Sequence, residues 1–133
     1  MKKSSSKGFT LIELVVVIAI LGIIGLIAIP KYYDITTTAK TNTLKGQLGT
    51  IRGALALYYA DQALSAGTAT YPSTLTGSLF AEGEVPLDPY FSLNDVAVGS
   101  NPIVTANFTD DGGWVYNSTS GEVRADVADK HSL

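Results

Sequence analysis

From Phe9 to Ile29 the chain is an unbroken apolar run in which only Thr10 and Glu13 are polar. As an α-helix this run is about 31 Å long, close to one bilayer hydrocarbon core. A carboxylate near the end of such a span costs free energy unless it snorkels, takes up a proton or meets a cation. Glu13 is therefore the first candidate functional residue, and a cationic partner for it is expected. Ahead of the span stand Lys2, Lys3 and Lys7 with no acid, which predicts a cytoplasmic N-terminus. The apolar run leads into Ile29-Pro30-Lys31-Tyr32-Tyr33 rather than the small-x-small pattern of a secretory signal. Gly8, next to Lys7 and directly before the run, is the better candidate for a cut made at the membrane surface, because it is flexible and has no side chain.

Gly8-Phe9-Thr10-Leu11-Ile12-Glu13-Leu14, the apolar run and Pro30 together resemble the start of type IV pilin and type II secretion pseudopilin precursors. The match extends from the basic leader to Pro30 and is specific, since residue order, charge and topology all coincide. The resemblance implies that a prepilin peptidase cuts between Gly8 and Phe9, that the new Phe9 amine is methylated, and that Glu13, Phe9 and Pro30 serve assembly. The cut would create an α-amine close ahead of Glu13, so the amine of an incoming subunit could neutralise its neighbour's Glu13. A single-pass anchor in which Glu13 merely snorkels would leave Gly8-Phe9 and Pro30 unexplained.

The length leaves room for one modest domain beyond the span. Removing residues 1–8 leaves six Lys and Arg against twelve acids, a side-chain charge of −6. That balance gives no indication of nucleic-acid binding. The absence of cysteine rules out a disulfide staple, a departure from the many type IV pilins that close a C-terminal loop with one. Stability must then come from helix-on-sheet burial, calcium or neighbouring subunits.

A long helix is expected to continue past Pro30, bending or locally unwinding there because proline lacks an amide hydrogen and crowds the preceding turn. From Leu44 the residues Leu48, Ile51, Leu55, Tyr58 or Tyr59 and Gln62 form one amphipathic stripe, extending the helix to about Leu64. Gly46, Gly49 and Gly53 lie nearly on one face and predict close approach of a sheet or second helix. Gly22, Gly25 and Pro30 mark a weak stretch expected to melt on entry into a filament. An aromatic conduction path is not supported, since Tyr33 and Tyr58 lie about 37 Å apart along a helix with no aromatic side chain between them.

Beyond Leu64 a Ser, Gly, Thr and Pro rich loop is expected, with a helical turn in 73–79 and an extended linker over 84–91 whose Tyr90 and Phe91 plug against the helix. Three strands are predicted at 103–108, 113–116 and 122–125, forming an antiparallel meander. Alternation places Trp114 and Tyr116 on one face, toward the helix. The fold class is thus α+β, a long kinked N-terminal helix packed on a small antiparallel sheet. Its divisions are a leader (1–8), a transmembrane and assembly helix (9–30), an amphipathic helix (31–64) and a loop and sheet domain (65–133).

Asp88, Asp95, Asp110, Asp111 and Asp126 gather near turns. Asp88, Asp110, Asp111 and Asp126 are weak calcium candidates, because major pseudopilins as a family hold a structural calcium in this region, although turn formation accounts for most such aspartates. No other cofactor is expected. Asn107 and Asn117 head glycosylation patterns too short to carry weight, and His131 stands in a polar tail outside any catalytic set. An enzyme is not expected. The resemblance instead implies a structural subunit that polymerises with itself, with prepilin peptidase, an assembly platform and the inner membrane as partners. A type IV pilus-like filament on the cell surface is preferred to a periplasmic secretion pseudopilus, because the characteristic calcium loop of a major pseudopilin is not plainly present.

Overall fold

A computed structural model describes residues 8–133. The basic leader therefore lies outside the described residues except for Gly8. Helix α1 runs Leu11–Ser65 with Pro30 inside it, and is followed by a 3-10 turn at Gly77–Leu79, strand β1 (Val96–Val98), a second 3-10 turn at Thr105–Asn107, and strands β2 (Trp114–Asn117) and β3 (Glu122–Ala125). The chain divides after Thr38 into two compact units. Up to Thr38 nearly every described residue is exposed, including the apolar side chains from Leu11 to Ile29. That segment is long and apolar enough to cross a membrane. The threonines after Pro30 fit a helix because their hydroxyls turn back on it: Thr36 and Thr37 both donate to the Tyr33 carbonyl, and Thr43 donates to that of Ala39.

From Ala39 onward α1 buries one stripe, Leu44, Leu48, Ile51 and Leu55, in a core completed by Trp114 and Tyr116 of β2, Val123 and Ala125 of β3, and Leu75, Val85 and Val127. The expected packing face of β2 is thus observed. Both aromatics also satisfy their polar ends when buried. Trp114 Nε1–H donates to the Pro86 carbonyl at 2.7 Å and the Tyr116 hydroxyl to that of Pro72 at 2.8 Å, which pins the loop across the core.

The predicted meander requires correction in its first strand. Residues 103–108 contain a 3-10 turn, and the first strand is β1 at Val96–Val98. It pairs parallel with β2, whereas β2 and β3 pair antiparallel as expected. A parallel neighbour needs a crossover connection, and the segment from Gly99 to Gly113 supplies it. That excursion covers the second face of β2. Ile103 is buried, and a Cβ added to Gly99 would lie 2.9 Å from both Ile103 and Val115 side chains. The Asn107 side-chain oxygen secures the excursion by accepting from the Ser100 and Val104 amides and the Ser100 hydroxyl. Asn117 is buried and donates its side-chain amide to the Gly99 carbonyl.

The glycine expectation is also revised. Beside Gly46, Gly49 and Gly53 a Cβ would meet nothing within 4 Å, so among the described residues no sheet or helix packs directly on them. Of the proposed plug residues, Tyr90 packs against the core and bonds Thr41 of α1 at 2.7 Å. Phe91 is half exposed and lies over Gly112 instead of the helix.

Asp88, fully buried, organises the linker. Its Oδ1 accepts from the amides of Tyr90 and Phe91 at 2.9 and 2.8 Å, and its Oδ2 from those of Leu93 and Gly113, each at 3.1 Å. Gly113 has φ +80°, and a Cβ there would collide with the Asp95 carbonyl. Leaving a buried donor unpaired costs about 1–3 kcal/mol, so Asp88→Ala should lower the unfolding free energy of the full chain in detergent by at least ~3 kcal/mol. A denaturation midpoint close to wild type would contradict this role. A second expectation concerns alkaline pH. Burial, with smaller contributions from Tyr71 and Tyr58, pushes the Tyr116 phenol up to about 12. The fold thus favours the neutral phenol over the unfolded chain, whose tyrosines titrate near ~10. This contribution is complete below pH ~10 and is lost as pH rises toward about 12. Tyr116→Phe should reduce the fall in stability across that window relative to wild type, and an unchanged fall would contradict the assignment.

Candidate functional site

Glu13 opens α1 in a specific local arrangement. Its Oε2 accepts from both the Thr10 backbone amide at 2.8 Å and the Thr10 hydroxyl at 2.7 Å, while its own amide donates to Thr10 Oγ1 at 3.3 Å. Thr10 precedes the first helical residue, Leu11, and Glu13 is the third residue of the helix. This is a capping box, in which two of the amides left without helical partners at a helix start are satisfied reciprocally. A carboxylate in the first turn also meets the positive end of the helix dipole. The signal is present in sequence as Thr-x-x-Glu ahead of an apolar run. Reasoning from the charge of Glu13 alone misses Thr10.

Around this cap the surface is apolar. Phe9, Ile12, Glu13, Val16 and Val17 line a shallow concavity, and Phe9 is 84% exposed. Gly8 is also exposed. Gly22 and Gly25 lie within continuous helix, with nothing within 4 Å of where a Cβ would stand.

The aspartates divide by partner. Asp88 uses about all the acceptor positions of a carboxylate on its four amides, which accounts for it without an ion. Asp126 is buried and accepts three bonds, from the Thr109 amide and hydroxyl and the Asp110 amide. Asp110 meets His131 Nε2 at 2.6 Å. Donor atoms of Asp110, Asp126 and His131 all lie within 4.8 Å of one another, a cluster able to coordinate a divalent ion such as calcium. Asp111 is not part of this group. Sequence reasoning did not find His131, because it stands far from Asp110 along the chain and only the folded tail brings them together.

Residues 3–29 match the prokaryotic N-terminal methylation motif family. The chain is 44% identical over 62 residues to the fimbrial protein EcpC of Eikenella corrodens, covering 47% of this chain and 40% of that one. It is 39% identical over 89 residues to a type IV major pilin protein of Neisseria gonorrhoeae, covering 59% and 52%. It is 36% identical over 77 residues to type II secretion system core protein G of Pseudomonas aeruginosa, covering 58% and 50%. The chain spans about half the length of the curated relatives it matches. No solved structure gives a significant match.

The cap generates its own expectation. Thr10→Val removes the hydroxyl that joins the two halves of the box, and loss of such a cap costs about 0.5–2 kcal/mol. Amide hydrogen exchange in the first turn of α1, measured on the full chain in detergent, should accelerate several-fold, and unchanged exchange would show that the box contributes little.

Proposed function

We propose, from the premise that this chain belongs by its N-terminal segment to the type IV pilin and pseudopilin family, that it is a structural, non-enzymatic subunit which polymerises through α1 into a type IV pilus-like filament. The observation that carries this reading is Glu13 at the start of a helical segment, Leu11 to Ile29, whose large apolar side chains are exposed, beside Gly8 and Phe9. Prepilin peptidase removes residues 1–8, and the Phe9 amine is methylated. Until assembly the subunit is held in the inner membrane by the segment from Phe9 to Pro30. The apolar side chains that face lipid there become the packing surface of the filament, where close fit replaces lipid contact.

The cap geometry supports a specific role for Glu13. Thr10 takes only Oε2, and Oε1 has no hydrogen bond among the described residues, so one carboxylate oxygen is available to the Phe9 amine of a neighbouring subunit. The charge is neutralised only when a neighbour is in register. Gly22, Gly25 and Pro30 supply the weakly helical stretch that melts as the segment leaves the bilayer and packs.

The similarity to type II secretion core protein G favours a second reading, a subunit of a periplasmic pseudopilus. Both readings use the same processing and the same Glu13, and they separate by location. Filaments sheared from the cell surface support the first, and recovery only from the periplasm supports the second.

Coexpression with a prepilin peptidase and its assembly platform should yield a chain whose mass corresponds to singly methylated residues 9–133. Glu13→Ala should still be processed, yet its recovery in filaments should fall by more than ~tenfold, because a buried amine left without its partner costs about 3–5 kcal/mol. Wild-type filament yield from Glu13→Ala would overturn the pairing. An unprocessed mass in the wild type would overturn the family-based reading of Gly8 and Phe9.

A further inference from the structure

The C-terminal tail folds back on the crossover in a way that its polar composition does not require. The His131 ring stacks on Phe108 with centroids 3.9 Å apart and planes inclined by 6°. The His131 carbonyl accepts from Arg124 Nη1 at 3.3 Å, and the Leu133 carbonyl accepts from Arg52 Nη2 at 2.8 Å. Ring plane and backbone are therefore both held, and Nε2 is directed at Asp110 Oδ1.

Asp126, with a carboxylate oxygen within 4.8 Å of a His131 ring nitrogen, is buried, and its orientation is fixed by the Thr109 amide and hydroxyl and the Asp110 amide. Three bonds leave one of about four carboxylate acceptor positions unused. A surface cavity of about 360 Å³, lined by Asp110, Ala128, Asp129, His131 and Ser132, opens at this point. An imidazole and a carboxylate that line this cavity, with the buried Asp126 carboxylate within 4.8 Å of both, all oriented by stacking and outer hydrogen bonds, constitute a metal-ligand set with its supporting shell already in place.

We propose that Asp110, Asp126 and His131 form a binding site for a borderline transition-metal cation of the zinc class, with water completing the coordination. The donor set decides against calcium as the preferred ion. Calcium takes six to eight oxygens at about 2.3–2.6 Å, whereas an imidazole nitrogen with two carboxylates suits zinc, at about 2.0–2.2 Å in tetrahedral geometry. Tetrahedral bonds of that length place donors about 3.3 Å apart. The 2.6 Å contact between Asp110 and His131 must open slightly and the separations of up to 4.8 Å must close. The tail and the Asp110 turn, both at the surface, can make those adjustments. Bound metal would tie the segment after β3, through Asp126 and His131, to the turn ahead of β2, a crosslink in a sequence that has no cysteine. The site is independent of whether the subunit builds a pilus or a pseudopilus.

The test uses the purified full chain in detergent, stripped with chelator and titrated calorimetrically with zinc, then with cobalt(II) as a spectroscopic substitute. One zinc per chain, a raised melting temperature and a cobalt absorption band in the visible are expected, with calcium at the same concentration giving none of these effects. Asp126→Ala could fail by unfolding the turn, so the deciding variants are His131→Ala and Asp110→Asn, whose side chains are partly exposed. Each should keep the wild-type far-ultraviolet circular dichroism without metal and bind zinc at least ~tenfold more weakly. Absence of zinc binding by the wild type, undiminished binding by both folded variants, or equal preference for calcium would overturn the proposal. If either variant loses its fold, His131→Gln, which keeps a polar side chain of similar reach, replaces it in the same comparison.

Discussion

All four side chains of β2 are buried, and a strand without a solvent face needs cover on both sides. The helical stripe from Leu44 to Leu55 covers Trp114 and Tyr116, and the crossover from Gly99 through Ile103 covers Val115 and Asn117. Other parts of the unit from Ala39 onward are arranged around this requirement. The loop after α1 crosses the core where Pro72 and Pro86 can accept from Tyr116 and Trp114. The parallel pairing of β1 follows too, because the chain leaves β1, crosses the second face between Gly99 and Gly113, and returns as β2 in the same direction. With no cysteine, burial and hydrogen bonding must together hold this arrangement.

Polar side chains in the unit from Ala39 onward act as fasteners for backbone that lies outside helix and sheet. Asp88 gathers four amides, Asp126 two amides and a hydroxyl, and Asn107 two amides and a hydroxyl. Irregular loops are stable next to a core only when their amides find acceptors, and short acidic and amide side chains reach backbone well. A concentration of aspartate near turns is therefore ambiguous in sequence, since the same oxygens serve amides or cations. The number of donors already facing each carboxylate separates Asp88, which is saturated, from Asp110 and Asp126, which stand with His131.

At the other end of α1 one side chain belongs to two accounts. Glu13 satisfies the start of its own helix through Thr10, and the proposed intersubunit pair uses its remaining oxygen. The cap lowers the cost of carrying a carboxylate in an apolar segment before any partner arrives, and ties the side chain to Thr10 in the concavity it shares with Phe9. The two roles are compatible because a carboxylate has about four acceptor positions and the cap occupies two.

The residue pattern alone determined the apolar span, the polar exception at Glu13, the continuation of α1 past Pro30 and the stripe that meets Trp114 and Tyr116. Each is a matter of local periodicity or of a strong solvent preference, and both are written in neighbouring residues. Tertiary structure decided the strand that 103–108 failed to form, the parallel partner of β2, the open surroundings of Gly46, Gly49 and Gly53, and the meeting of His131 with Asp110. In 103–108 the apolar residue Ile103 serves as cover for Val115, and a buried side chain in a crossover has the same composition as one in a strand. The tail cluster joins residues far apart along the chain, and no spacing rule carries that information. What local physics could specify was legible. What depended on which surface remained uncovered once the core had formed had to wait for the fold.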